Sequence, residues 1–325
     1  MSFSNSTAIR NQPRGAIIIG LLLIVLAGCV NTPIDTGNPV VFKHRIGIFE
    51  LQVPKSWKQA QDQVETEALA AFSDTTGNSE IIGYAGLLEH TLTKDEGVQA
   101  VPGLIKNLLN APQDLTITDS QQRSDGAFTV SMSFTRNNVK RSGQAIFREG
   151  DLALSGVIVS GPTANWSALA TALQPYIDSF KLYPDFVQGT YFTPIEDTHY
   201  ALVIPIDATH QKTASGQQVK SRSGDLTITL AQQPLSAPLD AQALPDAALQ
   251  RARQVIGSLT SVSNEPLPDG RLKLTLNQGN KRVIGYAEQK DAMLITVFFS
   301  VPAAQAEAYQ PLIDFMYSTL VTGQS

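Results

Sequence analysis

Four histidines, His44, His90, His199 and His210, are the only imidazoles available as a general base or metal ligand in a chain of 325 residues. None stands four residues from another, the spacing by which one helix face holds a metal. They read as surface or strand-edge residues, and neither a metal nor a cofactor is expected. Cys29 is the only cysteine, which leaves no thiolate pair for zinc and no intrachain disulfide. A serine nucleophile of the Gly-x-Ser-x-Gly kind needs a strained turn. Around Ser160, between Gly156 and Gly161, the spacing is wrong, and Ser300 likewise just precedes a helix, so both read as helix-start residues. The 29 acids single out no catalytic pair. No phosphate-binding Gly-x-x-x-x-Gly-Lys-Ser/Thr is present; Gly216 and Gly224 read as loop glycines. One polar feature repeats: Lys140-Arg141 and Lys281-Arg282 each follow a turn. Their two readings are contacts for an acidic partner or for lipid headgroups, and protection of a hairpin edge by positive charge.

The elements that must carry these residues recur along the chain. Ile46 to Val53 and Tyr200 to Ile204 alternate as first strands and stop at Pro54 and Pro205. Ser124-Asp125-Gly126 and Pro268-Asp269-Gly270 then open two three-strand meanders. The first runs through Ala127–Thr135, Lys140–Arg148 and Leu152–Ser160, the second through Arg271–Asn277, Lys281–Gln289 and Ala292–Ser300. Each enters an amphipathic helix, Thr163–Leu182 and Pro302–Leu320, and both helices contain Gln-Pro-x-Ile-Asp (Gln174–Asp178 and Gln310–Asp314), read as one register kept through duplication. An earlier helix also recurs, Lys94–Asn110 and Asp240–Ser258. This order predicts an α+β protein, two tandem copies of an antiparallel sheet packed with helices. The copies span residues 43–183 and 190–322 and are expected to fold separately, with Tyr183 to Gly189 as linker.

Composition limits the functions. With 42% hydrophobic and 16% charged residues the chain has matter for packed cores. A net charge of −5 provides no electrostatic footprint for nucleic acid. At the N-terminus Arg10 and Arg14 precede the apolar run Ala16–Gly28, only 13 residues, short of the roughly 20 that cross a bilayer as a helix. This is the layout of a secretory signal.

Leu26-Ala27-Gly28-Cys29 resembles the bacterial lipobox, in which cleavage falls between Gly28 and Cys29 and the Cys29 sulfur is acylated. The resemblance implies a signal peptide over 1–28, an acylated tether over 29–42 and anchoring in a membrane through acyl chains on Cys29. Each buried CH2 contributes ~0.8 kcal/mol and stable anchoring takes more than one chain. Val30, where an Asp would retain the protein in the inner membrane, implies the periplasmic face of the outer membrane. The strand ending at Pro54 and followed by Trp57, with the helix closing each meander, resembles the PsbP-like fold found in small bacterial lipoproteins of the DcrB kind. These resemblances imply a non-catalytic binding or scaffolding module with an envelope protein partner. The alternatives are a carrier of a small apolar ligand, held by Trp57, Phe72, Tyr84, Trp166 and Phe180, and a hydrolase whose site is assembled across the two copies.

Overall fold

The computed structural model describes residues 34 to 322 apart from 65, 66, 111, 198, 215 and 241. The signal peptide, the Gly28/Cys29 cleavage point and the lipidation site lie outside the described residues. The body from Ile34 onward is built twice over.

The first unit comprises β1 (Pro39–Lys43), β2 (Phe49–Pro54), β3 (Lys58–Val64), β4 (Glu67–Ser73), β5 (Glu80–Leu87), α1 (Lys94–Leu108), β6 (Thr116–Gln122), β7 (Phe128–Arg136), β8 (Val139–Gly150), β9 (Ala153–Pro162), α2 (Trp166–Asp178) and β10 (Lys181–Leu182). A further helix, α3 (Pro184–Tyr191), leads into the second unit. That unit comprises β11 (Phe192–Asp197), β12 (Tyr200–Pro205), β13 (Thr209–Thr213), β14 (Gly216–Lys220), β15 (Thr227–Pro234), α4 (Ala243–Ile256), β16 (Ser261–Pro266), β17 (Leu272–Gln278), β18 (Lys281–Lys290), β19 (Met293–Pro302), α5 (Ala306–Ser318) and β20 (Val321–Thr322). Each unit has a seven-stranded antiparallel sheet, in the orders β3-β4-β5-β9-β8-β7-β6 and β13-β14-β15-β19-β18-β17-β16. A three-stranded sheet accompanies each, β1-β2-β10 and β11-β12-β20. The protein is α+β, with two tandem antiparallel sheet units packed with helices.

Side-chain alternation explains the layers. In β7, Phe128, Val130, Met132 and Phe134 are buried while the residues between them are not, because α1 covers only one face there. The central strand β9 is buried on both faces and accordingly reads as an unbroken apolar run. Val101 and Ile105 of α1 join Phe128, Val130 and Phe147 in one cluster, and α4 does the same on the second sheet with Leu272, Leu274 and Phe298. The opposite faces, under α2 and α5, share one hydrophobic cluster that runs through both units. At the β7–β8 turn, Asn137 and Asn138 take φ of 54° and 62°, the left-handed pair that a tight hairpin demands and asparagine tolerates.

Three expectations are corrected. The stretch from Tyr183 to Gly189 is not a linker but most of α3: Pro184 at the helix start presets its φ, and Val187 and Tyr191 are buried. Tyr191 donates its hydroxyl to the Ala85 carbonyl at 2.5 Å and accepts from the Ala68 amide at 3.1 Å, both in the first unit. Nor is the segment before residue 43 a free tether from Ile34 on. Trp57 Nε1 donates to the Asp35 carbonyl at 2.9 Å, the Tyr176 hydroxyl donates to the Thr36 carbonyl, and Pro39–Lys43 pairs with β2. Finally, the repeated pentapeptide is not in one register. Pro175 lies nine residues after the start of α2 and Pro311 five after the start of α5. What the two copies share is local, a hydrogen bond from the Gln amide to the Asp four residues on, Gln174 to Asp178 at 2.8 Å and Gln310 to Asp314 at 2.6 Å.

Candidate functional site

The candidate chemical groups are scattered, and most are occupied in holding the fold. His44 sits in the β1–β2 connection with its ring 4.8 Å from that of Phe49. His90 follows β5, its ring 5.1 Å from Tyr309 of α5, with Nδ1 2.9 Å from the Thr91 carbonyl. His199 stands in the β11–β12 turn and His210 on β13, the exposed edge strand. Ser160 and Ser300 are buried near the ends of β9 and β19. Among the described residues no three His, Cys, Asp or Glu come close enough to hold a metal ion.

The two basic pairs are not equivalent. Strand register pairs Arg141 with Pro162 and Lys281 with Pro302, and Pro162 and Pro302 occupy the same place, ending the central strand before the closing helix. Arg141 therefore matches Lys281, and Arg282 matches Ser142. A one-residue offset turns a side chain to the other face of a sheet, so the two arginines point to opposite sides of their sheets. Arg141 is 1% exposed and donates to the Gly77 carbonyl in the β4–β5 turn at 2.6 Å. Burial pushes its guanidinium below the usual range, opposed by the Glu80 and Asp74 carboxylates. It cannot serve as the surface contact expected of it, whereas Lys140 is exposed. The aromatic residues do not converge either. Trp57, Phe72 and Tyr84 are buried, with Phe72 against Phe42 and Tyr84 against Phe147 on opposite faces of the sheet. Phe180 stacks on Phe49.

Clefts lie between elements among the described residues, one of about 210 Å³ between β8, β9 and the end of α2 and two that are larger. One, of about 270 Å³, lies on the seam between the units, where Leu88, His90 and the β8–β9 turn face Ala308, Pro311 and Leu312 of α5. Around the seam the Thr91 amide donates to the Ala308 carbonyl at 2.9 Å, Ser223 to Glu89 at 2.5 Å, and Gln305 to Glu96 at 3.2 Å. Burial pushes Asp207 above the usual carboxylate range, Glu89 from the first unit adds to this, and Arg222 opposes it.

The larger is an open groove of about 650 Å³ on the second unit, between the outer strands β17 and β18 and the start of α5. Lys273, Thr275, Arg282 and Ile284 form its floor, and Ala306 and Glu307 its helical wall. Lys273 faces the groove because its neighbours Leu272 and Leu274 are committed to the α4 side. Arg282 is half-buried, and its Nε is buried without a hydrogen-bond partner among the described residues. In the first unit the positions of Lys273, Arg282 and Ala306 hold Thr129, Ser142 and Trp166, and Trp166 packs its ring against the cluster under α2. Sequence reasoning found Arg282 but missed Lys273 and Ala306. The available signal was the alternation of β17, Leu-Lys-Leu-Thr-Leu, which puts a lysine on the face turned away from the α4 core.

No protein-family model matches the chain, and no curated protein matches it in sequence. Among solved structures it is similar to the cyanobacterial PsbP of Synechocystis sp. PCC 6803, at 12% identity over 41% of this chain and 93% of that one, with a TM-score of 0.33. It is also similar to a mutant of the protein Mog1, at 13% identity over 45% of this chain and 96% of that one, with a TM-score of 0.32. A third is the type VI secretion immunity protein TplEi of Pseudomonas aeruginosa, at 8% identity over 90% and 100%, with a TM-score of 0.21.

Proposed function

We propose that the chain is an acylated cell-envelope lipoprotein, with two PsbP-like units, that acts as a non-catalytic binding or scaffolding module at the periplasmic face of the outer membrane. The observation that carries this reading is the coincidence of the only cysteine with the lipobox position, Leu26-Ala27-Gly28-Cys29, directly after an apolar run of 13 residues. The body supports the binding part of the reading through what its reactive groups do. His44, His90, Ser160 and Arg141 are built into aromatic contacts, the seam between units and the sheet interior, and the groove on the second unit carries two cations and one carboxylate, Glu307, among small, apolar and neutral polar side chains.

A Cys29→Ala variant tests the anchor. Metabolic labelling with a fatty-acid analogue is expected to mark the native protein and not the variant, and the variant is expected to leave the outer-membrane fraction. Equal labelling and fractionation of both would overturn the lipoprotein reading. Affinity purification from crosslinked membranes tests the scaffold. A protein partner recovered with native chain and depleted with Cys29→Ala is the expected result, and turnover of an ester or glycoside substrate by the purified protein would favour a hydrolase instead.

A further inference from the structure

We infer that the groove on the second unit is a binding site for an elongated dianion, a small molecule with an acidic group at each end and a short apolar middle. The register of the floor sets this geometry. On the groove face, Lys273 lies opposite Tyr286, Thr275 opposite Ile284, and Asn277 opposite Arg282. The two cations therefore bracket the Thr275–Ile284 row from its two ends instead of sitting side by side. A strand advances about 6.6 Å for every two residues, so the two backbone positions stand about 13 Å apart along the sheet, and long flexible side chains reach inward from both. Between them lie Ile284 and the Thr275 side chain on the floor and the small Ala306 on the wall.

Charge in the groove favours anions. Lys273 and Arg282 are half-buried, while Glu307, the carboxylate on the lining, is exposed and so largely screened by solvent. Glu265, opposite Lys273 on the edge strand β16, is exposed as well. Gln310, the other polar residue on the wall, gives its amide to Asp314. The start of α5 adds the positive end of a 13-residue helix. The comparison within the molecule is independent of these charges. At the equivalent positions the first unit carries Trp166, Thr129 and Ser142, and the second the small Ala306, Lys273 and Arg282, a change that removes bulk and adds charge.

The test uses the full-length protein in detergent and isothermal titration with unbranched α,ω-dicarboxylates from succinate to suberate, with hexanoate as the one-headed control and 2-phosphoglycolate as a mixed-headgroup probe. Saturable binding that peaks at one chain length, and is at least about tenfold weaker for hexanoate, is expected; tenfold corresponds to about 1.4 kcal/mol, the scale of one hydrogen bond to a charged group. Lys273→Gln and Arg282→Gln should each weaken the best dicarboxylate about tenfold or more. Ala306→Trp should abolish binding while the melting temperature stays near that of the native protein. If 2-phosphoglycolate competes with succinate, the dicarboxylate nearest its span, the site reads charge and spacing; if succinate binds and 2-phosphoglycolate does not, the site is specific for carboxylates. Absence of saturable binding by every probe, no dependence on chain length, or binding untouched by all three variants would overturn the assignment without bearing on acylation at Cys29.

Discussion

Arg141 and Lys140 are neighbours in sequence with opposite fates, and the difference is a matter of which side of a strand each occupies. Arg141, itself buried, passes under the β4–β5 turn and supplies the partly buried Gly77 carbonyl with a donor. Replacing it with Ala leaves that carbonyl without its donor, at a cost of ~1–3 kcal/mol, whereas Lys140→Ala should change stability by less than ~0.5 kcal/mol. Urea denaturation followed by tryptophan fluorescence separates the two, and equal midpoints would show that the Gly77 hydrogen bond does not hold the turn. The basic pairs were visible in the sequence and their inequivalence was not, because a pair of adjacent residues carries no mark of which member faces inward; only pairing with Pro162 and Pro302 fixes that.

At the scale of elements, α1 lies so close to β7 that a Cβ on Gly97 would come within 2.1 Å of the Phe128 ring. Alanine normally gains up to ~1 kcal/mol over glycine inside a helix. At Gly97 overpacking of ~1–3 kcal/mol outweighs this gain and Gly97→Ala should destabilise. On the same helix Gly103 has nothing within 4 Å, so Gly103→Ala should stabilise by ~0.4–1 kcal/mol. Thermal unfolding of the two variants checks the pair, and two shifts of the same sign would contradict the close approach of α1 to the sheet. Four of the α-helices were legible from their periodicity, with α1 read as 94–110 and found at 94–108, whereas the short α3 was read as a linker. The Gln-Pro-x-Ile-Asp repeat misled about register because its Gln–Asp hydrogen bond spans four residues and forms wherever on a helix the pentapeptide falls. In α5 the displaced proline has an effect of its own. A helix proline leaves the carbonyl four residues back without its donor and bends the axis there, and the adjacent Ala308 carbonyl is the one that accepts from Thr91 of the first unit.

The meanders and their order were readable because hairpins are local: turn residues and strict alternation fix them within ten or so residues. The relation between the two units was not, since Tyr191 bonds to Ala68 and Ala85 more than a hundred residues away. That pairing sets the boundary of anything expected to fold alone. A fragment of residues 34–191 keeps β1 against β2, the Asp35 and Thr36 hydrogen bonds and the Tyr191 hydroxyl, all of which a fragment of residues 43–183 lacks. Both should unfold cooperatively, the longer at the higher urea midpoint. Equal midpoints would show that neither β1 nor Tyr191 contributes to the first unit, and a disordered longer fragment would show that the units fold only together.

The pinning of Asp35 and Thr36 has a mechanical side. If Cys29 is anchored as proposed, at most six residues of contour, about 20 Å when fully extended, separate it from Asp35, and a pull on the body then falls on the Trp57 and Tyr176 bonds. Beyond that load β1 would peel from β2, and the chain from Ile34 to Lys43 would release about 30 Å of further reach. On the proposed anchoring such a strand would be a breakaway segment: β1 belongs to the three-stranded sheet, so its loss would leave every pairing of the seven-stranded sheet in place.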